Sequence, residues 1–279
     1  MIGGGSTAAT IVIEAGRTER HYWRDLWTYR ELLYLLARRD VAVRYKQTVF
    51  GVAWAIVRPL ATMLIFAFVF GRLARLPSDG APYSLLVLSG MLPWFFFSSA
   101  LGEASDSLIS NGNLLTKIYF PRLIIPLSTG LVALLDLAIG LVLLGGLMAA
   151  MGYPLTMRLL ALPGFILVAF CLALGLGLWF AALNVKYRDF RFVVPFLLML
   201  GIYASPVGYS TTVIPEQWRI LYSLNPLVGV IEGFRWAILG EAFAPHPDAV
   251  ALSCAMAVFM VVSGTVFFRR TERSFADVI

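Results

Sequence analysis

Apolar residues run along this chain in long blocks separated by short polar connectors rich in Pro, Gly and Arg. A helix needs about 20 apolar residues to cross a hydrocarbon core of about 30 Å. Six blocks meet that length with at most one charge each, at 49–70, 83–101, 123–151, 159–183, 192–209 and 249–268. Only Arg58 and Asp136 put a charge inside a block, and a charge in that setting is a functional candidate by default. Before the first block the period changes. Leu26, Tyr29, Leu32, Leu33, Leu36 and Val43 fall on one face of a helix, with Arg24, Glu31, Arg38, Arg39 and Lys46 opposite. This is the pattern of an interfacial helix, serving as a membrane anchor or a docking surface. Asp40 interrupts the apolar face and predicts a bend there. The Gly3-Gly4-Gly5-Ser6-Thr7 run lacks any period and reads as a mobile tail.

Between the fifth and sixth blocks, 222–239 is apolar enough to enter a bilayer, yet it is broken at Asn225-Pro226 and carries Glu232 and Arg235. It reads as two short helices. Irregular backbone at membrane depth is tolerated only against protein or water, so a re-entrant hairpin lining an outer vestibule is expected. Glu232 and Arg235, three residues apart, are expected to pair on one helical face. The whole reads as an all-α integral membrane protein with six transmembrane helices, an N-terminal amphipathic interfacial helix, and a re-entrant helical hairpin between spans five and six. It divides into a cytoplasmic tail and interfacial helix (1–48), a transmembrane domain (49–268) with the hairpin at about 213–240, and a cytoplasmic C-terminal tail (269–279).

Composition supports lipid as the main solvent: 59% of residues are hydrophobic and only 14% charged, against about 25% charged in soluble domains. The excess of 22 Lys and Arg over 16 Asp and Glu sits beside the apolar blocks, so it does not point to nucleic acid. Sixteen of those 22 fall on one side of the six-span topology: eight in the first 48 residues, then Lys117, Arg122, Lys186, Arg188, Arg191, Arg269, Arg270 and Arg273. Cytoplasmic loops carry that excess, so both termini are expected in the cytoplasm. The amino terminus lacks a basic-then-apolar run with a cleavage site, so no cleaved secretory signal is expected. Cys171 and Cys254 lie inside apolar stretches and read as small core residues rather than a disulfide or metal framework.

Enzymatic chemistry is thinly provided for. The two histidines, His21 and His246, fall on opposite sides of the membrane in this topology. Glu103 and Asp106 stand among Ser105, Ser107 and Ser110, more in keeping with a solvated helix end than a carboxylate dyad. There is no Gly-Lys pair anywhere, hence no phosphate-cradling Gly-x-x-x-x-Gly-Lys-Ser/Thr loop. If ATP drives this protein, another polypeptide binds it. Arg58 lies about 9 residues, or roughly 14 Å of rise, inside the first span, within snorkelling reach of the interface. Arg44, Lys46 and Arg58 together would suit a phosphate-bearing substrate, because guanidinium groups match phosphate oxygens; contact with lipid phosphate is the alternative. Trp54, Trp94, Phe95, Phe96, Phe97, Trp179, Tyr203 and Tyr209 read as interfacial belts or packing. The other reading is that some line a conduit, where aromatic faces give a sliding sugar ring apolar contact.

Several motifs resemble those of one family. They are Arg44-Tyr45-Lys46-Gln47, Gly51-Val52-Ala53-Trp54 with Pro59-Leu60, Lys117-Ile118-Tyr119-Phe120-Pro121-Arg122 with Pro126, Leu183-Asn184-Val185-Lys186-Tyr187-Arg188-Asp189, Ser205-Pro206, Asn225-Pro226 and Glu232-Gly233-Phe234-Arg235. Across 29–273 the chain resembles the membrane permease of type-2 ABC exporters that move O-antigen, capsule or teichoic-acid polysaccharides across the bacterial cytoplasmic membrane. The resemblance implies a homodimer with two cytoplasmic ABC ATPase subunits, a lipid-linked polysaccharide substrate, and ATP and Mg held on the partner, with no cofactor or metal in this chain. It further implies coupling to the ATPases at 113–122 and 184–191, through Asn113, Lys117, Tyr119, Phe120, Pro121, Arg122, Asn184, Tyr187, Arg188 and Asp189. A periplasmic gate would span 215–236, with Pro206, Pro215, Asn225, Pro226, Glu232, Arg235 and Trp236. Pro121 and Pro126 would stiffen the coupling connector. Arg58 departs from the family pattern, which has an uncharged residue before the proline, so its role is not inherited. An exporter of lipid or drug is the second expectation. A membrane enzyme acting on lipid-linked sugars, with Glu103, Asp106 or Asp136 as its catalytic carboxylate, is the third.

Overall fold

The computed structural model describes residues 22–46, 51–115, 117, 120–272 and 275, and every regular element among them is helical. In chain order these are α1 (Tyr22–Thr28), α2 (Arg30–Lys46), α3 (Gly51–Phe66), α4 (Tyr83–Ser110), α5 (Gly112–Leu115), α6 (Ile124–Ala150), α7 (Leu162–Lys186), α8 (Phe190–Ala204), α9 (Glu216–Ser223), α10 (Leu227–Leu239) and α11 (Pro247–Thr271). A wider π-helical stretch, Ala67–Leu73, continues α3, and a 3₁₀ turn, Met157–Ala161, leads into α7. The predicted tail at 1–21 and the start of the first block at 49–50 lie outside the described residues.

Among the described residues five helices are long and apolar enough to cross a membrane: Ala53–Leu73, Tyr83–Ser110, Ile124–Ala150, Met157–Lys186 and Pro247–Thr271. The predicted fifth block, 192–209, forms only the 15-residue α8, about 22 Å long at 1.5 Å per residue. The cause is local. Ser205 precedes Pro206 and takes an extended conformation, φ −109° and ψ 151°, because the proline ring disfavours the helical region for its predecessor.

The bundle is built around α4. Of its most apolar window 78% is buried, against 11% for the first span, so α4 is the core helix and α3 is peripheral. Helices α6, α7 and α10 pack on α4, and α11 packs on α7. The α7–α11 crossing is close because both sides are glycine: a Cβ at Gly264 would lie 2.3 Å from the carbonyl oxygen of Gly175, and one at Gly175 2.4 Å from the Met260 backbone. Without a hydrophobic force between helices in lipid, such close backbone contact supplies the packing energy. A second, smaller core gathers Tyr22, Leu36, Phe120, Leu123, Ile124, Phe268 and Phe275, tying α1 and the residues after α11 to the bundle. The predicted apolar face of α2 holds, in that Leu32, Leu33 and Leu36 pack into this core, while Val43 is exposed. The bend expected at Asp40 is absent: α2 runs unbroken to Lys46, and the interruption falls at Tyr29, between α1 and α2. Cys254 is exposed and Cys171 half-buried, so the core placement expected for Cys254 is not what the fold gives; it sits on the outward side of α11.

Candidate functional site

Helices α2, α3, α4 and α6 enclose a cavity of about 390 Å³. Near the end of α2, Arg44 donates to both Glu103 of α4 and Asp136 of α6. Tyr45, the next residue, donates to the other oxygen of Asp136. Ser99, one turn before Glu103, donates to it at 2.7 Å. Opposite them on α3, the Arg58 guanidinium lies over the Phe95 ring, 5.2 Å from its centroid, a cation–π contact. Trp54 and Phe96 complete the apolar wall. Two guanidiniums against two carboxylates leave the lining with no formal net charge, and the pairing of Arg44 with Glu103 and Asp136 offsets the cost of partly burying them. Burial alone would lower the pKa of Arg44, but Glu103, and after it Asp136, outweigh that and hold it above its usual value.

Of the three residues expected to meet a phosphate, the structure brings Arg44 and Arg58 to one cavity and leaves Lys46 exposed at the end of α2, outside the lining. The solvated helix end expected at Glu103 and Asp106 is corrected. Glu103 is bound by Arg44 and Ser99, and Asp106 accepts from the buried Asn184 amide at 3.2 Å. Sequence reading missed the pairing of Arg44 with both carboxylates because the partners stand 59 and 92 residues away.

At the other end of α4, the break after α8 is satisfied by side chains of the next two elements. Asn225 donates to the Ala204 carbonyl at 3.2 Å and to Ser205 Oγ at 2.8 Å. Arg235, wholly buried on α10, donates to the carbonyls of Tyr209 at 2.8 Å and Val207 at 3.2 Å. Tyr83 donates to the Gly208 carbonyl at 2.6 Å. The expected Glu232–Arg235 pair does not form. Arg235 directs its Nη donors to backbone oxygens, and Glu232 Oε2 is buried with no hydrogen-bond partner. The two short helices expected across 222–239 are the end of α9 and all of α10, with Asn225 and Pro226 between them. Pro206 is buried and Pro215 exposed, and Trp236 donates to Glu241 at 3.3 Å. A cavity of about 200 Å³ lies here, between α10, the 210–212 turn and the 242–246 connector.

The eight aromatics do not converge. Trp94, Phe96 and Phe97 are buried in the core, and Trp54 and Tyr203 face outward at 62% and 66% exposure. Trp54, Phe95 and Phe96 share the larger cavity. Trp179 stacks on Phe267 of α11 at 4.0 Å and donates to Ser263. Tyr209 bonds to the Tyr203 carbonyl and to the Tyr222 hydroxyl.

The residues expected to carry coupling divide by burial. Lys117, Asn113, Tyr187, Arg188 and Asp189 are exposed; Phe120, Pro121 and Asn184 are buried; Tyr119 lies outside the described residues. Arg122 is bound to the end of α11: its amide donates to Glu272 Oε1 at 3.1 Å, its guanidinium donates to the Glu272 carbonyl at 2.5 Å, and it lies over the Phe275 ring. Tyr22 donates to the same carboxylate at 3.3 Å and carries Arg269 over its ring at 4.3 Å. Burial, then the Glu272 charge, pushes the Tyr22 phenol well above its usual range. No sequence signal pointed to Glu272, which is 150 residues from Arg122.

A family model described as ABC-2 type transporter matches residues 31–239. The O-antigen export system permease protein RfbA of Myxococcus xanthus is 29% identical over 258 residues, covering 92% of this chain and 98% of the relative. A protein of the same name from Klebsiella pneumoniae is 26% identical over 250 residues, 89% of this chain and 95% of the relative. The polysialic acid transport protein KpsM of Escherichia coli is 29% identical over 247 residues, 85% of this chain and 92% of the relative.

Proposed function

The chain belongs to the ABC-2 type transporter family, and on that premise we propose that it is the membrane permease of an ATP-driven exporter that carries a lipid-linked polysaccharide out of the cytoplasm. The observation that carries this reading is similarity along nearly the whole length of proteins named for O-antigen export and polysialic acid transport. In this reading two copies of the chain form the conduit in the bacterial cytoplasmic membrane, and two ABC ATPase subunits bind ATP and Mg on the cytoplasmic side. α8 is a short fifth span, which brings the number of spans to six. α1 and α2 lie at the inner surface within the N-terminal region 1–48, α9 and α10 form a re-entrant periplasmic gate within the transmembrane domain 49–268, and both termini, including the tail 269–279, are cytoplasmic.

The cavity between α2, α3, α4 and α6 serves as the inner entrance. Its lining, with paired charges and an aromatic wall of Trp54, Phe95 and Phe96, suits a polar polymer that must slide: balanced charge avoids a tight ionic trap, and ring faces give weak apolar contact to sugars. Arg58, whose guanidinium rests on Phe95, meets the phosphate of the lipid carrier. Asn113, Lys117, Arg122, Tyr187, Arg188 and Asp189 receive the ATPase stroke.

Deleting the gene in its host is expected to strand lipid-linked polysaccharide in the cytoplasm and to remove that polymer from the cell surface, read by carbohydrate immunoblot of fractionated cells. Unchanged surface polysaccharide together with loss of a lipid or drug efflux activity would overturn the reading in favour of the second expectation. Arg58→Glu, at unchanged membrane level, is expected to cut export severalfold.

A further inference from the structure

Of the two arms of the outer hairpin, one is built into the bundle and the other is hung on it. Every residue of α10 except Trp236 is buried, whereas in α9 only Ser223 is. α10 lies so close to its neighbours that a Cβ at Gly229 would stand 2.5 Å from the Ala249 carbonyl oxygen of α11, and one at Gly233 2.1 Å from the Phe165 ring of α7. Its far end is tied as well: Tyr153 donates to the Leu239 carbonyl at 2.7 Å, and Arg158 pairs with Glu241 at 2.9 Å just beyond it. An arm packed in this way moves only with the bundle.

The segment 213–224, which contains α9, is pinned at both ends and loose between them. At one end Ser210 and Thr212 donate to Asp79. At the other, the Asn225 amide donates to the Ala204 carbonyl and to Ser205, while its Oδ1 accepts from the Leu227 amide at 3.1 Å. Among the described residues, two side-chain hydrogen bonds join the segment between those pins to the rest of the chain: Arg219 bonds the His246 ring at 3.1 Å, and Tyr222 bonds the Tyr209 hydroxyl at 2.9 Å. The single O–H of Tyr209 goes to the Tyr203 carbonyl, so Tyr222 is the donor between the two phenols. Trp218, Ile220 and Leu221 are each more than half exposed and lend the segment little packing within this chain. Few buried contacts place a segment at the low end of local stability, and two pins with a loose middle make a leaf that turns about the line between them.

We propose that the moving part of the outer gate is this leaf alone, that α10 is its fixed post, and that the Arg219–His246 and Tyr222–Tyr209 bonds are the latch that holds the leaf shut. The proposal rests on the outer-gate reading of α9 and α10 and divides that gate between them, with Arg219 and Tyr222 as its positioning residues. A latch of two hydrogen bonds, in place of a packed interface, lets the leaf open and close repeatedly while the bundle behind it stays intact.

The test uses the full-length chain freed of Cys171 and Cys254. Ser223, on the leaf, and Ser253, against which α10 packs, are both buried. With the chain and its ATPase partner in lipid nanodiscs, the Ser223→Cys thiol is expected to react steadily with a membrane-impermeant maleimide and the Ser253→Cys thiol to stay unreacted. Tyr222→Phe removes one latch bond and is expected to speed the Ser223→Cys reaction about fivefold, the weight of one such bond in an equilibrium. Equal reactivity of the two thiols, or a rate that Tyr222→Phe leaves unchanged, overturns the leaf. In host cells, Arg219→Cys and His246→Cys joined by a short, reducible bis-methanethiosulfonate are expected to stop newly made polysaccharide from reaching the surface, and reduction is expected to restore it in the same protein. The same bridge across Arg158→Cys and Glu241→Cys, which fastens only the post, is expected to leave export unchanged. If both bridges stop export, the gate reading stands and the division into leaf and post falls. If the thiols behave as expected but neither bridge affects export, the leaf moves and it is the gate reading that falls.

Discussion

Arg44 holds together three helices through two carboxylates, and each group is only about a third exposed. Replacing Arg44 by Met takes from Glu103 and Asp136 their shared ion-pair partner, a loss of about 2 kcal/mol for hydrogen bonds to charged groups, and a lower Tm for the detergent-purified protein is expected. Adding Glu103→Gln and Asp136→Asn to Arg44→Met removes the stranded charges and is expected to recover most of that Tm, since contacting residues are not additive. A triple variant as unstable as the single would contradict the pairing. At the other end of α4, Arg235→Lys keeps the charge but gives up the planar fork that reaches two carbonyls at once. Its Tm is expected to fall as the carbonyls of 207 and 209 lose donors. The residue types at both places were legible in the sequence. Their partners were not: Arg235 was expected to pair with Glu232, its neighbour on the helix, yet it serves the broken end of α8 instead, where the carbonyls of 207 and 209 need donors.

The boundaries of most elements follow from local chemistry. Pro206 ends α8 short of the predicted block, whereas Asn225-Pro226 separates α9 from α10 as the sequence implied. The fifth block was read too long because hydropathy continues through 205–209 while the helix ends before Pro206. Helix contacts were less legible. The Gly175–Gly264 crossing looks in sequence like two of 24 glycines, and only packing distinguishes them from Gly146, where an added Cβ meets nothing within 4 Å. Gly264→Leu is therefore expected to push α7 and α11 apart and sharply reduce the folded protein in the membrane, whereas Gly146→Leu leaves the level unchanged, as measured by size-exclusion chromatography of a fluorescent fusion. Equal behaviour of the two would mean that the crossing does not hold the bundle.

For the whole molecule, the tie between Tyr22, Arg122 and Glu272 joins the first helix, the connector before α6 and the end of α11. If that connector receives a push from an ATPase, Glu272 positions Arg122 to pass it on. Glu272→Ala is expected to leave ATP hydrolysis by the purified complex near the wild-type rate while export falls severalfold, and Glu272→Asp to restore some of it; export and hydrolysis falling together would point to a purely structural role. Sidedness has its own check. In a chain freed of Cys171 and Cys254, a cysteine at Glu216 is expected to react with a membrane-impermeant maleimide in intact cells, and one at Asp189 only after permeabilisation. The reverse labelling would invert the topology.

By itself the sequence determined the solvent, the helical class, most of the apolar blocks, the break at Asn225-Pro226 and the family, because hydropathy, proline and short motifs are properties of neighbouring residues. The tertiary structure alone decided that α4 is the core helix, that Arg44 faces Glu103 and Asp136, that Lys46 stands apart, that Arg235 caps a distant loop and that a buried Glu232 oxygen is left without a hydrogen-bond partner. Those outcomes depend on which of several apolar faces pack together. In a chain whose helices are apolar nearly all round, the pattern that picks a face in a water-soluble helix is too weak to choose, so contacts between small residues and a few long-range polar bonds make the choice.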